Sequence, residues 1–209
     1  MTNSKQLIIT TGNCFRFGDV WMSINAALAY ANGNVATIKL KNNIALAHEI
    51  KASLRNADNL SIAEYDGVYD IKIGNSTIYN YTKTKVQWKF GPYKRICYQL
   101  DGGRYKAVQK TPPNAKHLLN MLPHNVTKIK LGLPLSVTET IDLVSKSDLF
   151  VGIDSGMSHL CHSVNIPMFL IEHKYDIDIH HGNKKFTKCI GIDDAIKKIN
   201  VYMNKIYKV

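Results

Sequence analysis

The chain has 209 residues, 45% hydrophobic and 21% charged, the balance of a globular protein with a real core, which excludes a disordered or low-complexity chain. A formal net charge of +11 at pH 7 and a pI near 9.4 create a field that draws polyanions such as nucleic acid, an anionic membrane surface or a phosphorylated substrate; an ordinary solvated lysine-rich surface is the equal alternative. Cysteines at 14, 97, 161 and 189 have no CxxC spacing, no N-terminal stretch has signal-peptide character, and no apolar run approaches ~18 residues, so a zinc ribbon, a secreted chain and a transmembrane segment are not expected, and a cytoplasmic protein with reduced thiols is.

Gln6–Thr11 (QLIITT) reads as a buried strand. Asp19–Ala31 reads as a helix, because Val20, Met22, Ile24, Ala27, Leu28 and Ala31 recur at mostly helical spacing. Val35–Leu40 is a second strand, Ala45–Leu54 a second helix, and Ser61–Tyr65 and Tyr69–Ile73 are weaker strand candidates. Composition then changes. Lys83–Lys116 holds nine Lys or Arg against one acid, Asp101, with Trp88, Phe90, Tyr93, Tyr98 and Tyr105 interleaved. Thr82–Pro92 reads as a linker punctuated by Gly91-Pro92.

A second series follows. Arg95–Leu100 is a strand, Asp101-Gly102-Gly103 a loop, and Pro113–Leu122 a helix with Pro113 near its first turn. Val126–Leu131 is a strand. Ser136–Ser145 is a helix whose opening SVTE fits a capping box. Asp148–Ile153 is a strong buried strand, Gly156–Val164 a helix, Pro167–Ile171 another buried strand, and Asp193–Ile206 a terminal helix. Strands alternating with helices imply parallel sheets. Two such series imply an α/β protein of two Rossmann-like lobes, both reduced in size, over residues 1–92 and 93–209. Ligands of open α/β sheets bind outside the carboxyl ends of the strands, so the cleft between the lobes is the expected site.

The sharpest local feature is Val151-Gly152-Ile153-Asp154-Ser155-Gly156-Met157-Ser158-His159-Leu160. A buried strand ends, a small polar loop follows and a helix begins, and the free N–H groups of such a helix start attract anions. Gly156 lets backbone approach a phosphate closely, and Ser155 and Ser158 add hydroxyls. The plainer reading makes Asp154 or Ser155 an N-cap and nothing more. A second feature, Phe17-Gly18-Asp19-Val20, opens the first helix. Asp19 there could act as a general base or simply cap the helix. Asp176-Ile177-Asp178 carries hard oxygen ligands suited to Mg²⁺ or Mn²⁺ but reads mainly as surface loop, and the adjacent His180-His181 could bind a metal but, as neighbours pointing in different directions, read as solvated, so no metal site is assigned.

Together, Gly18-Asp19-Val20 and Asp154-Ser155-Gly156-Met157-Ser158-His159 resemble the G-D-V/I-L and D-[ST]-G-x-x-H segments of the bacterial heptosyltransferases, a GT-B glycosyltransferase family that uses ADP-heptose. Ser147–Gly152 resembles the family's strand before that loop, and Leu133–Asp142 its preceding loop and helix. The resemblance implies an acceptor-side lobe over 1–92 and a donor-side lobe over 93–209, with a nucleotide-sugar co-substrate, no permanently bound cofactor and no required metal. It implies that Asp19 is the catalytic base with Gly18 beside it on the acceptor side, and that Asp154, Ser155, Gly156, Met157, Ser158 and His159 hold the donor diphosphate. Lys110 resembles a phosphate-neutralising lysine, with Arg104 and Lys106 as rivals. The chain departs from the family in having Met157 where a proline is usual, in Glu172-His173-Lys174-Tyr175 where a glycine- and proline-bearing loop is common, and in being shorter.

The function expected first is sugar transfer from a nucleotide-sugar to a hydroxyl acceptor. A hydroxymethylated DNA base is a candidate acceptor, since phage DNA-modifying glycosyltransferases also use GT-B folds and the basic, aromatic 83–116 stretch could track a phosphate backbone and stack bases. The second reading is a non-catalytic nucleotide- or nucleic-acid-binding protein on the same scaffold. A hydrolase or phosphotransferase is disfavoured by the absence of a G-x-x-x-x-G-K-[ST] loop and a G-x-S-x-G elbow.

Overall fold

The computed structural model describes residues 7–10, 16–72, 81–101, 104–105, 108–109, 111–132, 134–172 and 185–207. The chain divides into two units, Met1–Lys85 and Val86–Val209.

In the first unit, β1 (Leu7–Thr10), α1 (Phe17–Ala31), β2 (Ala36–Leu40), α2 (Ile44–Ser53), β3 (Leu60–Glu64) and β4 (Ile71–Lys72) follow one another along the chain. The sheet is parallel, in the order β3-β2-β1-β4. The register sets Ile9 opposite Ile38, and Ile38 opposite Ile62, in one row on one face. The α1 helix forms because Val20, Trp21, Ile24, Ala27 and Ala31 recur on one side and are buried. It stops at Asn32, which is left-handed (φ 46°). Asn25, buried on α1, accepts from Thr82 N–H at 2.7 Å. Residues 83–85 bond across the end of α2, with Arg55 N–H donating to Lys83 O at 2.8 Å and Lys85 N–H to Ser53 O at 2.8 Å. The segment expected as a linker is thus tied down from its first residue.

The second unit contains β5 (Arg95–Gln99), the short antiparallel pair β6 (Arg104–Tyr105) and β7 (Val108–Gln109), α3 (Ala115–Met121), β8 (Thr127–Lys130), α4 (Val137–Ser145), β9 (Leu149–Gly152), α5 (Gly156–Val164), β10 (Met168–Glu172), β11 (Phe186–Ile190) and α6 (Gly191–Tyr207). Its sheet is parallel, in the order β11-β10-β9-β5-β8. Ile96, Leu149, Val151, Ile153, Phe169, Ile171 and Cys189 form one core with Leu118 and Leu122 of the α3 end and Ala195, Ile199 and Met203 of α6. The helices α4 and α5 pack against each other, α3 against α6, and α5 also meets β9 and β10. The capping box opening α4 is as the sequence indicates: Glu139 N–H donates to Ser136 Oγ at 3.3 Å, and Ser136 N–H to Glu139 Oε2 at 2.8 Å. By contrast, α3 starts later than expected. Asn114 is left-handed (φ 62°), so Pro113 lies before the helix and not in its first turn. The strand β11 and the β6–β7 pair are not among the sequence expectations.

Asp148, buried at the start of β9, ties this unit together. Its carboxylate accepts from Tyr93 N–H at 3.0 Å and Arg95 N–H at 2.7 Å, and from the hydroxyl of Tyr207 at the end of α6. Trp88 is held nearby in sequence: its backbone N–H donates to Val164 O at 3.0 Å and its indole N–H to Ser147 O at 2.7 Å, and the Lys185 ammonium lies 4.1 Å from its ring centroid. No described helix is long and apolar enough to cross a membrane.

Candidate functional site

In the second unit the chain's first strand, β5, lies between β8 and β9, so the strand order reverses beside it. Such a switch point opens a crevice outside the carboxyl ends of the two strands on either side. Here those ends are Gln99 of β5 and Gly152 of β9, which face each other in the register. Immediately beyond them the chain runs Ile153-Asp154-Ser155 into α5. The loop singled out in the sequence therefore lies at the place where parallel sheets bind ligands.

Two contacts fix that loop to β5. Ile153 N–H donates to Gln99 O at 3.3 Å, and Ser155 Oγ donates to Gln99 Oε1 at 2.5 Å. Gly152 is required by the same closeness: a Cβ there would lie 2.9 Å from Gln99 O and 2.7 Å from Phe150 Cε1. Ser155 is the N-cap of α5, extended at φ −156°, so the capping role falls to it and not to Asp154. Ser158 completes the turn: its Oγ donates to Ser155 O at 2.7 Å, and Ser155 N–H donates to it at 3.0 Å.

The predicted residues separate by burial. Met157, Ser158 and His159 are buried, and Ser158 spends its hydroxyl inside the turn. Asp154, Ser155 and Gly156 are partly exposed. Asp154 Oδ1 is 3.6 Å from His159 Nε2, which places a carboxylate and an imidazole together behind the helix start. The N–H groups of Gly156 and Met157 donate to no backbone carbonyl among the described residues. They point along the axis that carries the positive end of the helix dipole. Across the edge, Asp101, just past β5, pairs with Lys130 at the end of β8. Arg104 lies in β6, also past the carboxyl end of β5. Lys106 and Lys110 lie outside the described residues, as do Asp176-Ile177-Asp178 and His180-His181. Among the described residues no group of three or more His, Cys, Asp or Glu could hold a metal ion.

The basic, aromatic 83–116 stretch is not one surface. Lys83 and Lys85 belong to the first unit. Trp88 is locked against Ser147, Val164 and Lys185, all near strand amino ends of the second unit, whereas Arg104 follows a carboxyl end. Tyr98 packs on the core. Phe90 remains 66% exposed.

In the first unit Asp19 sits in the opening turn of α1, which follows the carboxyl end of β1 beside that sheet's own reversal between β1 and β4. Its Oδ2 accepts from Arg16 N–H at 3.1 Å, so it caps the helix. Gly18 beside it is partly buried. Sequence reasoning missed two residues. Lys39, on β2, is buried at the same carboxyl edge, with its ammonium 2.6 and 2.7 Å from the two oxygens of Asp66. The hydrogen bond from Lys39 holds the Asp66 carboxyl below its ordinary range. Gln99 is the other: a lone glutamine at a strand end carries no sequence mark, and only the register with Gly152 makes it a site residue.

No protein-family model matches the chain, and no curated protein matches it in sequence. Solved structures do match in fold. The bacterial iron-containing dodecameric glycosyltransferase TibC from enterotoxigenic E. coli H10407 superposes with a TM-score of 0.59 at 10% identity, over 87% of this chain and 64% of TibC. The dodecameric iron-containing heptosyltransferase TibC in complex with ADP-D-β-D-heptose gives 0.56 at 11% identity, over 87% and 62%. The chain thus spans a little under two thirds of the length of these structures. At this identity the likeness is one of fold: two parallel α/β units built as in a glycosyltransferase.

Proposed function

We propose that this protein transfers a sugar from a nucleotide-sugar to a hydroxyl acceptor. The observation that carries the reading is the position of Asp154-Ser155-Gly156 at the switch point between β5 and β9, with two unpaired-by-backbone N–H groups at the start of α5. A diphosphate at that helix start gains from the dipole and from directed N–H donors, and both act most strongly as negative charge builds on the leaving group. The fold likeness to a glycosyltransferase, and the ADP-heptose bound in one of the TibC structures, support the same reading.

In the reaction the acceptor oxygen bonds to the anomeric carbon of the sugar as the bond to the diphosphate breaks. Asp19 takes the acceptor's hydroxyl proton, and the nucleoside diphosphate leaves with the bonding electron pair. Arg104, in β6 past the carboxyl end of β5, and Lys110 neutralise phosphate charge. Because the helix start and these cations supply positive charge, the reading includes no metal, and transfer should be unchanged by EDTA. The net charge of +11 favours a polyanionic acceptor, and hydroxymethylated DNA is the first to try; lack of transfer to it from every common nucleotide-sugar removes that acceptor.

The test uses release of nucleoside diphosphate from a panel of nucleotide-sugars by the wild type and by Asp19→Asn. Asparagine keeps an oxygen to accept from Arg16 N–H, so the cap survives while the base is lost. One donor should be consumed by the wild type, and the variant should bind it without turnover. Normal turnover by Asp19→Asn would remove Asp19 as the base.

A further inference from the structure

We propose that Phe90 and Tyr93, with Lys89 and Lys94, form a docking surface for single-stranded nucleic acid at the amino end of β5. The Asp154-Ser155-Gly156 loop lies past the other end of that strand, so the inference stands apart from sugar transfer.

Trp88-Lys89-Phe90-Gly91-Pro92-Tyr93-Lys94-Arg95 carries three aromatic rings, three cations and no acid. Phe90 is 66% exposed and Tyr93 38%, and Lys89, Pro92 and Lys94 beside them are exposed as well. Apolar groups gathered in water in this way mark a surface with a partner. Both rings have fixed seats. Phe90 meets the Trp88 ring edge to face, with centroids 6.3 Å apart, and Trp88 is pinned by its own two N–H groups and by Lys185. Tyr93 folds back on Gly91: a Cβ there would lie 2.9 Å from Tyr93 Cζ. Its backbone N–H is held by Gly91 O at 2.9 Å and by Asp148 Oδ1 at 3.0 Å. Rings already in place lose little freedom on binding.

The charge of the segment is of one sign. Among the described residues the carboxylate bonded to it is Asp148, which accepts from Tyr93 N–H, Arg95 N–H and the Tyr207 hydroxyl and is committed within the fold. The buried Nε of Arg95 meets no acceptor among the described residues. Exposed ring faces beside cations suit a chain of bases and phosphates: each base offers a face to stack on an aromatic ring, and each phosphate a charge for a lysine. A duplex hides its base faces. An anionic membrane needs more apolar area than one largely exposed phenylalanine supplies. The single strand is the partner that uses both features.

The test is fluorescence anisotropy of a labelled oligodeoxythymidylate, titrated with the full chain between about 50 and 200 mM NaCl. Phe90→Ala, which removes an exposed side chain and should leave Tm unchanged, is expected to weaken binding on the order of tenfold. Lys89→Gln with Lys94→Gln should lower the slope of log affinity against log salt by about 1.4. Lys51→Gln with Lys116→Gln, which removes the same charge elsewhere, should bind as the wild type does. No binding by the wild type at the lowest salt overturns the proposal, and so does unchanged affinity in Phe90→Ala. An equal loss in the two lysine pairs would assign the affinity to the overall charge of +11 and overturn it too. Binding to phosphatidylserine vesicles that is lost in Phe90→Ala, with none to the oligonucleotide, would make the surface a membrane contact instead. None of these outcomes bears on turnover by Asp19→Asn, so the two readings fail separately.

Discussion

Gly152→Ala should destabilise the second unit and disturb the candidate site together. The added methyl would lie 2.7 Å from Phe150 Cε1 and 2.9 Å from Gln99 O. Neither neighbour can easily move. The Phe150 ring is fully buried within the sheet packing, and Gln99 O is part of the ladder and accepts from Ile153 N–H. Forcing a methyl into a filled core costs about 1–3 kcal/mol, and the fixed neighbours put this site at the upper end. At roughly 4 °C per kcal/mol for a domain of this size, Tm should fall by about 4–12 °C. Any relief by separation of β5 from β9 would also lengthen the Ser155–Gln99 bond, so nucleotide affinity should drop in parallel. Differential scanning calorimetry with and without ligand reads both. A Tm within about 1 °C of the wild type would refute the close approach on which the geometry of the loop depends.

Removing the Asp148 carboxylate leaves two backbone N–H groups and the Tyr207 hydroxyl without their acceptor; Asp148→Ala should cost about 3–5 kcal/mol in urea unfolding, and Tyr207→Phe about 1 kcal/mol. The Asp194 carboxyl is held below its ordinary value of 3.8, first by the hydrogen bond from Lys198 and then by the one from Ile190 N–H. A depressed folded-state pKa contributes stability that is present above 3.8 and lost as pH falls below it, so the urea midpoint should decline between about pH 5 and pH 3, and Asp194→Asn should flatten that decline. Cys97, Cys161 and Cys189 are buried, and burial pushes the Cys189 thiol up to about 12. At pH 8 only about one Cys189 in ten thousand is thiolate, so a disulfide reagent should modify these three cysteines no faster than the protein unfolds, as peptide mapping of the labelled chain can check.

What the sequence made legible follows from local physics. Short apolar runs such as Asp148–Ile153 and Pro167–Ile171, too brief for a typical helix, read as strands covered on both faces, and they form β9 and β10. The Ser136–Glu139 pattern states a helix start in four residues, and the structure has it. Alternation of these elements was enough to indicate two parallel sheets. What stayed hidden depends on partners far along the chain. Phe186–Ile190 carries Lys188 and an exposed Ile190, as an edge strand does, so it lacks the apolar run that marks a buried one. The β6 and β7 strands are two residues each, too short for any periodicity. Ser158 looked like a hydroxyl for a ligand, yet three residues past the N-cap its shorter reach is to Ser155, and the turn consumes it. Trp88 looked like a stacking platform, but its indole N–H finds Ser147 O and its ring finds Lys185. Gln99 and Lys39 acquire their meaning only from register and burial.

The central claim is that the start of α5 binds the diphosphate of a nucleotide-sugar. The most direct measurement is thermal stability of the wild type and Gly156→Asp against nucleoside diphosphates and their sugars. Aspartate is tolerated in the first turn of a helix, so the variant should keep its fold while its charge repels an anion at that position. The account predicts that one nucleotide series stabilises the wild type, by about 2.7 kcal/mol at a hundred times its Kd, and leaves the variant unmoved. Equal stabilisation of both proteins would put the ligand elsewhere, and no stabilisation by any nucleotide would contradict the claim.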